Sequence, residues 1–409
     1  MTAFANAQTD GVCLGFEDAL QIAAQADPAV ATSEARRREA KADVEEARSL
    51  FRPQISAFAR TGIGDVGLID SAIQNQIGLS ASQRIIDFGD ARLARRAARH
   101  SVDASEQEIR LAEQRAGFSA GSAIIDILQA REAIAFTAER RAYFENQLAA
   151  IESVLGIGGS TLSERAEISA QVANAKAFTL DLESQLERAE TTLSIELAGA
   201  PALCSPHIVE TGFSLLGKDL TTIDLAVDRA LQDAPELKSL RARADSLSAQ
   251  SERERRARLP IVSVVGSAAY SSIGSNSTFE FQERVGVDVS VPLYTGNALA
   301  AQGRRATARE AAAKSEVAER RRELEEEVRI SYRRALSLDA QVLTAQDVED
   351  RNKELFEFAQ VEYDAGTRTL PELVDVRIDY ERSGLQRIQM KFDLMRERLR
   401  LLSLTGDLG

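Results

Sequence analysis

The residues best placed to do chemistry lie in one stretch, Tyr363-Asp364-Ala365-Gly366-Thr367-Arg368-Thr369-Leu370-Pro371-Glu372-Leu373-Val374-Asp375. It sets one arginine and three carboxylates into a reversal between two helical runs. Glu372 and Asp375 are three apart and so share one helical face. An earlier stretch, Gly158-Gly159-Ser160-Thr161-Leu162-Ser163-Glu164, has a similar form. This chemistry is electrostatic: ion pairing across a turn, and negative charge at a helix N-terminus, where the macrodipole favours it. Nothing comparable suggests bond making. His100 and His207 are the only histidines and neither has a companion at metal-ligand spacing. Three methionines and two cysteines leave little for a soft-metal site. Gly156-x-Gly158-Gly159 follows a helix rather than a strand, which argues against a phosphate loop. The expectation is no enzyme, no metal and no cofactor. Cys13 and Cys204 allow only one pairing, a bridge an oxidising compartment would permit; two separate buried thiols are the alternative.

Composition narrows the class further. The 409 residues carry a net charge of −13, which excludes a basic nucleic-acid face as the main feature. Aromatic residues are 5%, Trp is absent, and 28% of residues are charged, a balance that favours long helices with many small Ala and Leu contacts. Runs such as Arg36-Arg37-Arg38 and Arg320-Arg321-Arg322 alternate with Glu and read as solvated helix faces. No stretch is apolar enough for a spanning helix. Ala3-Phe4-Ala5 and Ala5-Asn6-Ala7 resemble the small-residue end of a signal peptide, so an exported protein is expected.

The elements that must position the charged turns come twice. Pro28 and Pro235, Pro53 and Pro260, and Gly89 and Gly296 are each 207 positions apart, and Gly158 and Gly366 are 208 apart. The first repeat is 14–199, with helices, a β-hairpin at 54–86, a long helix at 90–155 and a returning helix at 161–199. A linker, 200–219, leads to the second at 220–406, with a hairpin at 261–293, a long helix at 297–363 and a returning helix at 370–404. In the hairpins the alternating segments are Ile55–Gly64, Gln76–Ile86, Ile261–Tyr270 and Glu280–Leu293. Val285, Val287, Val289 and Val291 recur at period 2, giving a strand with one apolar face. Each long run is about 100 Å as a helix. In 90–155 two apolar columns recur every seven residues, one through Val102 and Ile109 and the other through Ala104 and Leu111. Two stripes on nearly opposite sides suit a helix with a neighbour on each side, as in a wall.

Four strands cannot close a barrel, and open edges are not tolerated in lipid. Three chains would supply twelve, each of spanning length. The duplicated unit resembles the TolC family of outer-membrane efflux and secretion channels over about 14–406. Its most specific pieces are Val291-Pro292-Leu293-Tyr294-Thr295-Gly296 and Tyr363-x-x-Gly366-Thr367-Arg368-Thr369. Ile85-Ile86-Asp87-Phe88-Gly89 departs from the pattern in lacking the proline, and a bulge or register difference is expected there.

The resemblance implies a mainly α fold with β-hairpins, assembled as a homotrimer. A 12-stranded barrel in outer-membrane lipid would continue into an α-helical tunnel across the periplasm of a Gram-negative bacterium. It implies a passive exit duct for type I protein secretion or multidrug efflux, opened at its periplasmic tip by an inner-membrane transporter and a periplasmic adaptor. Carried over position by position, it assigns a gate to Glu164, Tyr363 and Arg368, with glutamate where the family has aspartate. It assigns an acidic pore constriction to Glu372 and Asp375, and the tip turns to Gly158 and Gly366. A periplasmic coiled-coil scaffold or adaptor without a pore is the competing expectation.

Overall fold

The computed structural model describes residues 14–66, 69–199, 222–273 and 280–408. Cys13, Cys204 and the linker 200–219 lie outside them. The elements run α1 Phe16–Ala26, α2 Pro28–Ser49, β1 Gln54–Val66, β2 Ile69–Ile86, α3 Asp90–Leu155 and α4 Leu162–Glu196. They continue as α5 Ile223–Asp233, α6 Pro235–Arg256, β3 Ile261–Ile273, β4 Glu280–Ser290, α7 Ala298–Asp364 and α8 Leu370–Thr405. The chain forms two compact units, residues 32–109 with 236–320, and residues 1–31 with 110–235 and 321–409.

The first unit carries one antiparallel sheet in the order β1-β2-β3-β4. The register sorts its side chains by chemistry. Pairs Ala59↔Ile77, Ile77↔Tyr270 and Tyr270↔Phe281 set one face, which also carries Ile55, Ile63, Ile73, Leu79, Val264, Val285, Val287 and Val289. All of these apolar side chains are more than a third exposed. The opposite face holds Ser56, Ser80, Arg60, Gln76, Ser267, Arg284 and Asp288. Two polar residues on the apolar face satisfy each other, Thr61 donating to Asn75 Oδ1 at 2.8 Å.

β2 begins at Ile69 rather than Gln76, since the ladder continues through Ile63↔Ile73 to Val66↔Ile69 despite polar residues of weak strand preference. β4 stops at Ser290 rather than Leu293. Pro292 has no N–H to donate and holds Val291 outside the ladder. The β2–β3 register slips between Arg84 and Ile86, a bulge at Ile85 just before the segment without the proline.

Both strand-to-helix connections contain two successive residues with positive φ, Phe88 (52°) with Gly89 (94°), and Gly296 (61°) with Asn297 (67°). The two glycines match at 207, but the reversals and the helices after them are 208 apart. The extra residue therefore enters before the helix, and α3 and α7 stay in phase. Ala94, Ala97, Ala98 and Ser101 of α3 share one concave surface with Gln302, Arg305, Ala306 and Arg309 of α7, the same positions counted from each helix start. α2 and α6 complete that surface with residues such as Asp43, Glu46, Gln250 and Glu254.

In the second unit α1 ends at Asp27 and α5 at Ala234, each with extended ψ (123° and 118°) imposed by the following proline. Phe16, Ala19, Leu20 and Ala23 form the buried stripe of α1. They meet Ile124, Ile125 and Leu128 of α3, Leu193 of α4, and Phe392 and Leu399 of α8. A fully buried Phe or Leu there contributes about 1.5–3 kcal/mol. Gly121 lets Leu399 approach, and Gly384 admits Phe136, whose ring would overlap any Cβ.

Candidate functional site at the two helix-to-helix turns

The first turn is closed by its own residues. Gly158 sits at φ 82°, and Gly159 N–H bonds the Val154 carbonyl at 3.0 Å, satisfying the carbonyls that a helix end leaves open. Thr161 caps α4: its hydroxyl oxygen accepts from Glu164 N–H at 3.2 Å, while Glu164 Oε2 accepts from Thr161 N–H at 2.8 Å. Ser160 adds a hydroxyl bond to the same oxygen at 2.7 Å. These bonds, Ser160's first, hold the Glu164 carboxyl below its ordinary value. Arg165 bridges the turn to Glu152 at 2.9 Å.

The second turn uses the same backbone device. Gly366 is at φ 74°, and Thr367 donates through both N–H and hydroxyl to Glu362 O at 2.9 Å. Glu372 Oε2 accepts from Thr369 N–H at 2.9 Å and from its hydroxyl at 2.7 Å. The backbone bond comes first among the causes that lower the Glu372 carboxyl, and Arg368 last. Arg368 pairs through Nε with Glu362 at 3.2 Å. Its Nη1 is buried with no hydrogen-bond partner among the described residues.

The turns meet through Tyr363. It packs on a cluster of Phe144, Ile151, Ile168, Leu370 and Val374 that joins α3, α4 and α8. Burial raises the Tyr363 hydroxyl, and the Glu164 charge adds to the shift. Glu164 and Tyr363 are thus within electrostatic reach, whereas Arg368 turns to Glu362. Glu372 and Asp375 are both exposed. Glu372 is at the same time a helix cap, so one of its oxygens already has local work.

A second charged group lies behind the turns, and the sequence reading passed over it. Arg377 is 7% exposed, and its guanidinium faces the rings of Phe356 (4.8 Å), Tyr143 (5.0 Å) and Tyr380 (5.3 Å). Glu381, 4% exposed, pairs with Arg377 at 2.8 Å and with Arg140 at 2.9 Å. Burial pushes the Glu381 carboxyl up against the pull of both arginines, and pushes the Tyr143 hydroxyl up to about 12. The cage ties α3, α7 and α8 together. Its signal is present in the sequence: Leu370, Val374, Arg377, Glu381, Ile388 and Phe392 follow a buried stripe in which two members are charged. Among the described residues no group of three or more His, Cys, Asp or Glu is arranged to hold a metal, and no helix is long and apolar enough to cross a membrane.

The sequence model of a family described as outer membrane efflux protein matches residues 19–199 and again 226–407. The chain belongs to that family. It is therefore an outer-membrane protein with a periplasmic extension, and its family and fold are those of channels. It is 23% identical over 380 residues to the outer membrane efflux protein BepC of Brucella suis, covering 88% of this chain and 78% of that protein. It is 27% identical over 184 residues to the alkaline protease secretion protein AprF of Pseudomonas aeruginosa, covering 44% of this chain and 38% of that protein. Among solved structures it superimposes on the outer membrane protein VceC of Vibrio cholerae with a TM-score of 0.80 at 16% identity, over 96% of both chains. That likeness establishes the shared mainly helical fold with a few antiparallel strands.

Proposed function

We propose that three copies of this chain close a 12-stranded barrel in the outer membrane and continue it as a helical tunnel through the periplasm. The assembly serves as a passive exit duct for type I protein secretion or multidrug efflux. The sheet carries the reading. One face is an exposed apolar band, the other is polar, and both β1 and β4 have unpaired edges. In lipid those edges must close, and further copies of the same sheet are the simplest closure. The band runs nine residues from Ile55 to Ile63, the length of a tilted spanning strand. A periplasmic scaffold without a pore would have no use for it. BepC's description as an efflux protein and AprF's as a secretion protein bracket the two cargo classes.

The turns are the periplasmic gate in this reading. Glu164, Tyr363 and Arg368 latch neighbouring hairpins, Arg368 turning its buried, unpartnered Nη1 outward to reach a second copy. Glu372 and Asp375 form acidic rings at the constriction, where six carboxylates favour cations and bind multivalent cations as blockers. Ion pairs at an exposed tip contribute only about 0–1 kcal/mol each. That suits a latch which an inner-membrane transporter and its adaptor must open. Planar-bilayer recording tests both parts. Glu372→Gln with Asp375→Asn should weaken cation selectivity and multivalent block, and Arg368→Ser should raise conductance. Unchanged selectivity would remove the filter, and unchanged conductance the latch.

A further inference from the structure

We propose that the first turns of α3 form a binding surface for the phosphate headgroups of the leaflet that meets the periplasmic rim of the barrel. This rests on the membrane-spanning reading of the sheet. Arg92, Arg95, Arg96 and Arg99 fall at i, i+3, i+4 and i+7, within an arc of about 100° on one side of α3. Three are exposed and Arg95 is half-buried. None of the four is in an ion pair or hydrogen bond among the described residues, although their net charge of +4 sits in a chain of −13. The next acid on this face is Asp103, beside His100 at 3.4 Å, so the basic stripe ends after two turns.

Direction and depth are fixed by separate observations. The opposite side of the same turns, at Ala94, Ala97, Ala98 and Ser101, lines the concave surface shared with α2, α6 and α7. The arginines therefore point away from the concavity, outward. Between the strands and the helices stand exposed rings, Phe88 shortly after β2 at 51% and Tyr294 shortly after β4 at 83%. Aromatic side chains at that level mark the membrane interface of barrels. Phe88 holds its ring there from a positive φ, an unusual backbone for so bulky a residue. Arg92 follows four residues later. The stripe begins where headgroup phosphates would lie, and guanidinium matches phosphate in both charge and bidentate geometry.

The fold does not require these arginines. The same positions of α7, counted from its start, hold Ala300, Gly303, Arg304 and Thr307. The basic surface is thus a property of α3 alone, and would recur once per chain around the rim.

The test is lipid retention by the full-length protein in detergent, read by native mass spectrometry with added phosphatidylglycerol or phosphatidylcholine. The wild type should prefer phosphatidylglycerol, and Arg95→Gln with Arg96→Gln should reduce that preference about fivefold or more. Replacing all four by Gln should abolish it while leaving bilayer conductance unchanged. In wild-type protein the preference should also fade as salt rises from about 50 to about 500 mM, a readout independent of how any variant folds. No preference in the wild type, or an undiminished one in the variants, overturns the proposal. Loss of a co-purifying acidic protein with lipid preference intact does so as well. If the wild type fails to insert into bilayers at all, the spanning reading fails instead.

Discussion

The turns at Gly158 and Gly366 share a backbone and differ in what their side chains leave open. Each has a left-handed glycine, a threonine at the helix start and a glutamate three residues on that bonds back to it. At the first, Ser160, Thr161 and Glu164 satisfy one another. At the second, Arg368 pairs with Glu362 and keeps a buried donor without a hydrogen-bond partner among the described residues, while the Arg377 cage holds the helix behind it. The backbone reversal belongs to the repeated unit. The electrical character belongs to one copy, so a device built from these turns treats the two hairpins of a chain differently.

That contrast can be broken most severely behind the second turn. Arg377→Ala removes one of the two cations facing buried Glu381, and should cost about 3–5 kcal/mol of local stability. Hydrogen exchange would show lost protection through the first turns of α8. Ser169→Ala, at the matching place on α4, is exposed and should stay within about 0.5 kcal/mol. Comparable losses at both sites would dissolve the distinction.

A smaller effect tests what the turns share. Gly158→Ala and Gly366→Ala meet no atom within 4 Å of the new Cβ, so their cost is backbone strain alone, about 1–2 kcal/mol each. Equal losses of exchange protection at the two turns sharpen the claim of a common backbone; a marked inequality refutes it.

The smallest effect is the response to pH, where the turns and the cage have opposite signs. Glu164 and Glu372 are held below the ordinary carboxylate value. Their contribution is therefore present above that value and lost as pH falls through the lowered ones. Glu381 is raised, so the contribution of its neutral form is complete below the ordinary value and lost as pH climbs through the raised one. Between about pH 7 and about pH 3, exchange corrected for intrinsic rates should show both turns loosening while α8 around Glu381 does not. Glu381→Gln should flatten that second response.

Much of this architecture was legible because its signals are local. Pro28, Pro53, Pro235 and Pro260 mark where helices stop and start, Val285 to Val289 spell a half-apolar strand, and the glycine turns repeat. Strand ends were less legible: the β1–β2 ladder runs past Gly64 on backbone pairing that no side-chain pattern announces. At the turns, residue types disclosed charge but not partners. Arg368 selects Glu362 over Glu164 through tertiary geometry. Arg377 and Glu381 lie on a buried stripe, but their i, i+4 spacing alone does not disclose the rings of Tyr143 and Phe356, from two other helices, that join Tyr380 of α8 around the guanidinium.

The positive-φ pairs, Phe88–Gly89 and Gly296–Asn297, have a consequence for how such a chain can change length. One residue added inside a long helix turns everything after it by about 100° and exposes what should be covered. Here the odd residue was accommodated upstream, and two left-handed residues reset the helix start. The connection acts as a mechanical clutch: length can change on the strand side while the helix keeps its angular setting. Insertions and deletions in descendants of this sequence should accordingly collect between the last strand residue and the helix start, and be rare in the turns of α3 and α7 that follow.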